Sequence, residues 1–188
     1  MAKRKPAEPV ELTEDHLERK PSVHAVALLI GRWKELYPDE QVKIIIAEAL
    51  NFCTCYHDMI IVGYMITEKR VCLVLEIQRN EINSMLAKFY DSVLKEIKKL
   101  RQQNENVDLR TENNEAVIRT GNFSTHLFTQ YPLIDSYLVQ LITGKQIYSN
   151  YYNPQLEKLK KYIHNYNFCS AIDYSGAKGP VMVKLLHK

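Results

Sequence analysis

The sequence has few of the features that mark membrane proteins, disulfide-bonded proteins or nucleotide-binding enzymes. No apolar run in its 188 residues approaches the ~18–20 residues that cross a bilayer, and no apolar segment follows the basic N-terminus as in a secretory signal. Its six glycines form no phosphate-binding loop. The cysteines lack the paired spacing of a zinc site and are too few for a disulfide scaffold; they are Cys53, Cys55, Cys72 and Cys169. These absences predict a cytoplasmic protein with reduced thiols and no membrane partner.

The balance of charge is only mildly basic. A net charge of +3 and a pI of about 8.6 permit binding to nucleic acid without requiring it. Lysine and arginine cluster at residues 3–5, 95–101 and 158–161. Such clusters are typical of solvated helix faces, and contact with nucleic acid is the alternative.

The length of the chain predicts one domain. Residues 1–20 are polar and contain proline, which indicates a loose N-terminal arm, and residues 21–188 then form the domain. A polar segment over residues 102–116 predicts a loop inside this domain.

Hydrophobic periodicity predicts five elements in the first half of the domain. They are a strand over Val23–Ile30, a helix that begins at Pro38 and Asp39, two hairpin strands over Met59–Ile66 and Arg70–Ile77 with a turn at Thr67–Lys69, and a helix over Asn80–Asn104. One more strand would complete a ferredoxin-like or RNA-recognition-motif-like α+β sandwich. In that fold helices cover one face of an antiparallel sheet and leave the other face for a ligand.

The second half of the domain has a less regular pattern. Within Val117–Ile147, the segment SYLVQLITGK fits either a strand or a short helix. Asn153 and Pro154 are typical of a helix start, with asparagine as the cap and proline in the first turn. The tail from Ala171 predicts a glycine-containing loop followed by a short strand.

The second hairpin strand separates two kinds of side chain, because successive residues of a strand point to opposite faces. One face is uniformly apolar and is expected under the helices; it consists of Val71, Leu73, Leu75 and Ile77. The other face is mixed and is expected to be at least partly open; it consists of Arg70, Cys72, Val74 and Glu76. Arg70 and Cys72 are therefore expected side by side on one face of the sheet.

The hairpin sequence GYMITEKRVCLVLE resembles the signature of the single-tyrosine HUH transposases, a family that includes the REP-associated and insertion-sequence-200-like transposases. That signature reads approximately AYVIMPNHVHLLLE, and the residues in register are Tyr64, Ile66, Val71, Leu73, Leu75 and Glu76. Downstream, LEKLKKYIHNYNF is similar to the late helix of the family, whose core reads approximately RRYIHLNPV. The resemblance covers residues 22–104 and 153–170 and implies the α+β fold of the insertion-sequence-200-like type.

In that family, two histidines that flank one hydrophobic residue hold magnesium or manganese, which polarises the scissile phosphate of DNA. The two histidine positions correspond here to Arg70 and Cys72. A guanidinium has no lone pair to offer a metal, and a soft thiolate suits zinc better than magnesium or manganese. The resemblance therefore implies a degenerate member without a metal or cofactor and without catalysis. An active DNA-nicking transposase with an atypical metal site is a further alternative.

Tyr162 matches the nucleophile of the family, which attacks the phosphate and becomes joined to a 5′ DNA end. Because the chain has 12 tyrosines, a packing role for Tyr162 is the alternative. His164 and Asn165 follow it and would be available as further metal ligands, although a helix histidine is ordinarily a surface residue. His24 lies near a position where the family often has a histidine, and packing within the strand is the alternative there.

Two classes of function follow from these patterns. The first is binding of single-stranded or hairpin DNA, with Arg70 in contact with a phosphate. The candidate contacts are Arg32, Lys69, Arg70, Arg79, Lys98, Arg101 and Lys161. The second is a protein-interaction or structural role, with the open sheet face covered by the Val117–Ile147 region or by a partner. A homodimer is compatible with either class.

Overall fold

The computed structural model of the chain describes residues 21–78, 81–104 and 127–186. Its strands are β1 (Ser22–Ile30), β2 (Ile60–Ile66), β3 (Arg70–Ile77) and β4 (Phe128–Pro132). Its helices are α1 (Asp39–Tyr56), α2 (Ile82–Asn104), α3 (Ser136–Ile142), α4 (Pro154–His164) and the short α5 (Ala171–Tyr174), with a 3₁₀ segment over Arg32–Leu36. The predicted N-terminal arm and most of the predicted polar loop lie outside the described residues.

Within these ranges the four strands form one antiparallel sheet in the order β2-β3-β1-β4. Ala27 of β1 pairs with Cys72 of β3 on one side and with Tyr131 of β4 on the other. The described elements from β1 to β4 follow the order β-α-β-β-α-β, which is the ferredoxin-like arrangement. The prediction of an α+β domain built on an antiparallel sheet is confirmed, and β4 supplies the further strand that the pattern required.

Helices α1 and α2 cover one face of the sheet and enclose the main core. Helix α1 has Asp39 and Glu40 in its first turn, where the positive end of the helix dipole stabilises carboxylates. Its buried side chains recur every three or four residues; they include Val42, Ile45, Ile46, Ala49, Leu50 and Cys53. These side chains belong to the same buried cluster as Val71, Leu73, Leu75 and Ile77 of β3. The predicted burial of this strand face is confirmed.

The other face of β2 and β3 is covered as well, so the expectation of helices on one face only is wrong for these two strands. Helix α3 belongs to the Val117–Ile147 region, which was the alternative cover that the sequence suggested. Cys72 and Val74 are fully buried. They pack with Leu138 and Ile142 of α3 and with Ile163 of α4. The sheet is therefore enclosed between two helical layers along these two strands.

Helix α3 forms from the segment SYLVQLITGK, whose structure the sequence pattern left open. The carboxylate of Asp135 accepts a hydrogen bond from the backbone N–H of Leu138 at 3.0 Å, which caps the N-terminus of the helix. Leu138 and Ile142 are four residues apart and thus share the side of the helix that packs on the sheet. The cap and the apolar pair together select the helix over the strand.

The C-terminal segment follows the outer edge of β2 without forming the short strand predicted for it. It begins with the turn of α5, and the backbone N–H of Lys184 then donates to the carbonyl of Ile61 at 2.8 Å. The side chain of Asn51 in α1 holds the segment from the other side, because its amide donates to the carbonyl of Pro180 at 2.9 Å and accepts from the N–H of Met182 at 2.8 Å. These individual hydrogen bonds hold the segment in place of the short strand that the sequence predicted.

Ser170 links the second helical layer to the sheet. Its buried hydroxyl accepts a hydrogen bond from the backbone N–H of Tyr64 in β2 at 2.8 Å and donates to the carbonyl of Ile142 in α3 at 2.5 Å.

We expect Ser170→Ala to lower the free energy of unfolding by about 1–3 kcal/mol, because both backbone groups lose their partner away from water. Urea denaturation of the two proteins measures this difference.

The matched control is Ser175→Ala, which removes an exposed hydroxyl that donates to the carbonyl of Ile172 at 2.7 Å. We expect this change to stay within about 0.5 kcal/mol of the parent protein. Equal effects of the two substitutions would contradict the linking role of Ser170.

Candidate functional site

Arg70 and Cys72 share one face of β3 but lie in different surroundings. They pair with Leu29 and Ala27 of β1 respectively, and the residue between them, Val71, points into the main core. Arg70 is exposed, whereas Cys72 is completely buried under α3 and α4. The prediction that the two project from the same face is consistent with this register, but only Arg70 can meet a ligand at the surface.

Cys72 has the properties of a packing residue. Burial raises the pKa of its thiol above the ordinary value; the nearby Arg70 opposes this rise and Asp135 adds to it. A neutral thiol is a poor metal ligand, since the thiolate is the form that binds. In the parts of the chain that the structure describes, no group of three or more histidine, cysteine, aspartate or glutamate side chains is arranged to hold a metal ion.

Tyr162 lies on the outer side of α4. Its neighbour Ile163 joins the cluster that covers Cys72, while Tyr162 itself is 49% exposed. The ring of Tyr162 stacks on that of Tyr166 with 5.2 Å between the centroids and 26° between the planes. The hydroxyl of Tyr166 donates to the carbonyl of Ile66 in β2 at 2.8 Å. The tyrosine pair is therefore fixed to the end of the sheet and presents one ring to solvent.

Lysines surround this tyrosine pair. An open groove with a volume of about 340 Å³ is lined by Lys158, Lys161, Tyr162, Asn165 and Tyr166, and we call it the tyrosine–lysine groove. The ammonium of Lys43 in α1 lies 5.7 Å from the centroid of the Tyr166 ring and 5.8 Å from that of Phe168, both within the range of cation–π attraction. The groove thus combines aromatic surface with positive charge.

Tyr166 is the more buried of the two rings of this groove. Partial burial, together with the neighbouring Tyr162 and Glu68, raises the pKa of its hydroxyl to about 12. The hydroxyl consequently stays protonated and keeps its hydrogen bond to Ile66 at any physiological pH.

The turn between β2 and β3 lies beside the same end of the sheet. Thr67 and Arg70 close the turn through the backbone N–H of Thr67 and the carbonyl of Arg70 at 2.9 Å. Lys69 and Arg70 are exposed there. Ile66, which accepts the Tyr166 hydroxyl, pairs with Val71 next to Arg70. Of the residues selected from the sequence, Lys161 and Tyr162 therefore line the groove. Lys69 and Arg70 lie on the turn that follows Ile66, the residue bonded to Tyr166.

Other residues selected from the sequence do not line the groove. Arg32 lies on the 3₁₀ segment beside the same turn, because the N–H of Ile30 donates to the carbonyl of Lys69 at 2.9 Å, and its guanidinium is 3.7 Å from the carboxylate of Glu35. Lys98 is exposed on α2, in the helical layer on the opposite side of the sheet. Arg79 and the side chain of Arg101 lie outside the described residues. Lys98 is accordingly no part of the tyrosine–lysine groove.

Three further polar residues noted in the sequence have ordinary surroundings; they are His24 and the two possible metal ligands, His164 and Asn165. His24 is half-buried, with its Nε2 2.7 Å from the hydroxyl of Ser22. His164 is exposed at the end of α4. The amide of Asn165 donates to the carbonyl of Lys161 at 3.1 Å, as expected of a residue that ends a helix.

Sequence reasoning missed Lys43, Lys158 and Tyr166 as members of this site. The spacing of Tyr162 and Tyr166 at the end of a basic helix was an available signal, because residues four apart lie on one side of a helix and Tyr166 follows directly after its C-terminal cap. Lys43 gave no signal, since more than one hundred residues of sequence separate it from Tyr166.

The half of the second sheet face formed by β1 and β4 remains apolar and exposed. Val23 and Leu29 of β1 and Tyr131 of β4 point to this face by alternation, and Ile134 and Tyr137 follow β4. All five are exposed to solvent. We call this surface the β1–β4 strip.

No protein-family model, curated protein or solved structure matches this chain. The likeness of its hairpin and late helix to the single-tyrosine transposases thus stays a hypothesis. Among the described helices, none is both long and apolar enough to cross a bilayer. The function is best inferred from the chemistry of the tyrosine–lysine groove and the β1–β4 strip.

The burial of the cysteines gives a direct test of this geometry. Cys55 is exposed, whereas Cys53, Cys72 and Cys169 are buried, and burial raises the pKa of each of these three thiols. We expect Ellman's reagent to modify one thiol rapidly in the native protein and all four in denaturant, because only the thiolate of an accessible cysteine reacts.

The variant Cys55→Ser serves as the control and should abolish the rapid phase. A rapidly modified thiol that remains in native Cys55→Ser, assigned to Cys72 by mass spectrometry, would show that the sheet face around Cys72 is open.

Proposed function

We propose that this protein binds single-stranded nucleic acid, or the unpaired part of a DNA hairpin, through the tyrosine–lysine groove. The single observation that carries the proposal is the stacked pair of Tyr162 and Tyr166 bordered by Lys43, Lys158 and Lys161. Proteins that bind single strands combine a positive groove for the backbone with aromatic rings for the bases. The resemblance to single-tyrosine transposases, whose ligand is single-stranded DNA, supports the same class of partner.

The rings and the charges of the groove have different roles in the proposed binding. Tyr162 has the exposed ring face on which a base would stack, and Tyr166 holds that ring in place from below. Lys158 and Lys161 lie one helical turn apart on α4 and would neutralise successive phosphates. Arg70 at the nearby turn is a further phosphate contact, since a guanidinium donates two parallel hydrogen bonds to phosphate oxygens.

The same contacts argue for binding without strand cleavage. Arg70 and Cys72 occupy the positions that correspond to the two histidines of the transposase signature. Arg70 has no lone pair to offer a metal, and burial keeps the thiol of Cys72 in its protonated form, which binds metals poorly. In this proposal Tyr162 acts through its ring and not as a nucleophile. Incubation of single-stranded DNA with magnesium or manganese should leave the strand intact and yield no protein–DNA adduct.

A second candidate function is protein interaction through the β1–β4 strip. Exposed apolar patches of this kind mark interaction surfaces, and tyrosine is enriched in them. The strip carries two tyrosines and three aliphatic side chains; they are Tyr131, Tyr137, Val23, Leu29 and Ile134. The two candidates use different surfaces and therefore predict different mutational effects.

Fluorescence anisotropy with a labelled oligothymidylate distinguishes the two candidates. We expect measurable binding that weakens with salt, and each phosphate neutralised adds a slope of about −0.7 to the logarithm of affinity against the logarithm of salt concentration. Tyr162→Ala should weaken binding by about 1–3 kcal/mol, because a stacking surface is lost. Tyr162→Phe should bind as the parent protein does, because the ring and not the hydroxyl makes the contact.

Two lysine variants complete this experiment. Lys161→Ala in the groove should reduce the salt slope by about 0.7, whereas Lys98→Ala on the opposite helical layer should leave the slope unchanged although it removes the same charge. Absence of binding at low salt, or equal effects of the two lysine variants, would count against the groove and favour the β1–β4 strip as the functional surface.

A further inference from the structure

Three exposed tyrosines precede α4 and take no part in the tyrosine–lysine groove. Tyr148, Tyr151 and Tyr152 are 86%, 71% and 80% exposed in the loop between α3 and α4. Burial of an aromatic ring stabilises a protein, and these three exposed rings do not contribute this stabilisation. Such exposure is typical of surfaces that meet a ligand.

The loop is nevertheless held in place next to α4. The side chain of Asn153 caps the helix, because its oxygen accepts hydrogen bonds from the backbone N–H groups of Gln155 and Leu156 at 3.1 and 3.2 Å. The hydroxyl of Ser149 donates to the carbonyl of Tyr151 at 2.7 Å. Tyr151 and Tyr152 thus have a fixed position relative to the helix.

Two further depressions beside α4 share lining residues with each other and with the tyrosine–lysine groove. The groove shares Lys161 with a middle depression that also contains Glu157, Lys160 and His164. The middle depression shares Glu157 and Lys160 with a third one, which is lined by Tyr151 and Tyr152 among others. The three have volumes of about 340, 440 and 330 Å³ in this order. The first two border the C-terminal half of α4 on adjacent sides, and the third borders its N-terminal half.

The charges along this path suit a phosphate backbone. Glu157 is neutralised by the ammonium of Lys160 at 2.9 Å, and Lys158 and Lys161 provide positive charge toward the other end. Helix α4 has 11 residues, which span about 16 Å at 1.5 Å per residue. A stacked single strand with one phosphate every ~3.4 Å covers this distance with about five nucleotides.

We infer that Tyr151 and Tyr152 form a second stacking site for the same single strand, so that the bound strand runs along α4 between two aromatic ends. This inference rests on the function proposed above and adds to it the path and the length of the bound segment. The first site is the ring of Tyr162, and lysines of α4 bind the phosphates between the two sites. Duplex DNA would not use this path, because its bases are stacked on each other and unavailable to the rings.

Oligothymidylates of four and twelve nucleotides test the inference. The short strand reaches one site, whereas the long strand reaches both. We expect the double variant Tyr151→Ala and Tyr152→Ala to bind the twelve-nucleotide strand about 5- to 150-fold more weakly than the parent protein, as loss of a stacked base predicts. The same variant should bind the four-nucleotide strand within about twofold of the parent protein, because that strand still binds at the ring of Tyr162.

Two further variants serve as controls. Tyr148→Ala removes an exposed ring of the same loop that does not line the depression with Tyr151 and Tyr152, and it should leave both affinities unchanged. The double variant Tyr151→Phe and Tyr152→Phe should restore binding of the long strand, because the rings return without their hydroxyls.

The outcomes separate the two proposals. Unchanged affinity of the alanine double variant for the long strand would overturn the second site while leaving the first intact. An equal loss for both strand lengths would also overturn it, because the loop would then act through the fold or through the first site. If the parent protein binds neither strand, the proposed function itself fails.

Discussion

The packing of the second helical layer against β2 and β3 is the contact on which the rest of the structure depends. The hydroxyl of Ser170 joins the backbone of Tyr64 to the carbonyl of Ile142, and Gly63 makes the close approach possible. A side chain at Gly63 would place its Cβ 2.8 Å from the oxygen of Ile142, which is closer than real contacts allow. By holding α3 and the segment around Ser170 on the sheet, these contacts also set the place of α4, which carries the exposed ring of Tyr162.

This layer determines which residues can function. It buries Cys72 and converts the face that resembles a metal site into a second core. The exposed polar and aromatic groups are consequently found on the outside of α4 and at the turn that contains Lys69 and Arg70. Such a surface suits the proposed binding of a single strand, which needs rings and positive charge but no metal.

The sequence allowed prediction of the elements whose patterns are strong over many residues. The hairpin, α1, α2 and the capped start of α4 at Asn153 all lie within a few residues of their predicted bounds. The covering of Cys72 was predicted only as one alternative, a cover formed by the Val117–Ile147 region, because the ten-residue segment that becomes α3 fits a helix and a strand alike until Asp135 is seen to cap it. The contact between Lys43 and Tyr166 was likewise not predictable, because only the folded chain brings these two residues together.

Photocrosslinking with a single strand that contains bromouracil tests the central claim most directly, because it reports the residues that touch the bases without any substitution in the protein. After irradiation and digestion, mass spectrometry identifies the peptides joined to the strand. The tyrosine–lysine groove predicts crosslinks to the α4 peptides that contain Tyr162 and Tyr166, competed away by unlabelled strand. Crosslinks confined to the β1–β4 strip, at Tyr131 or Tyr137, would contradict it.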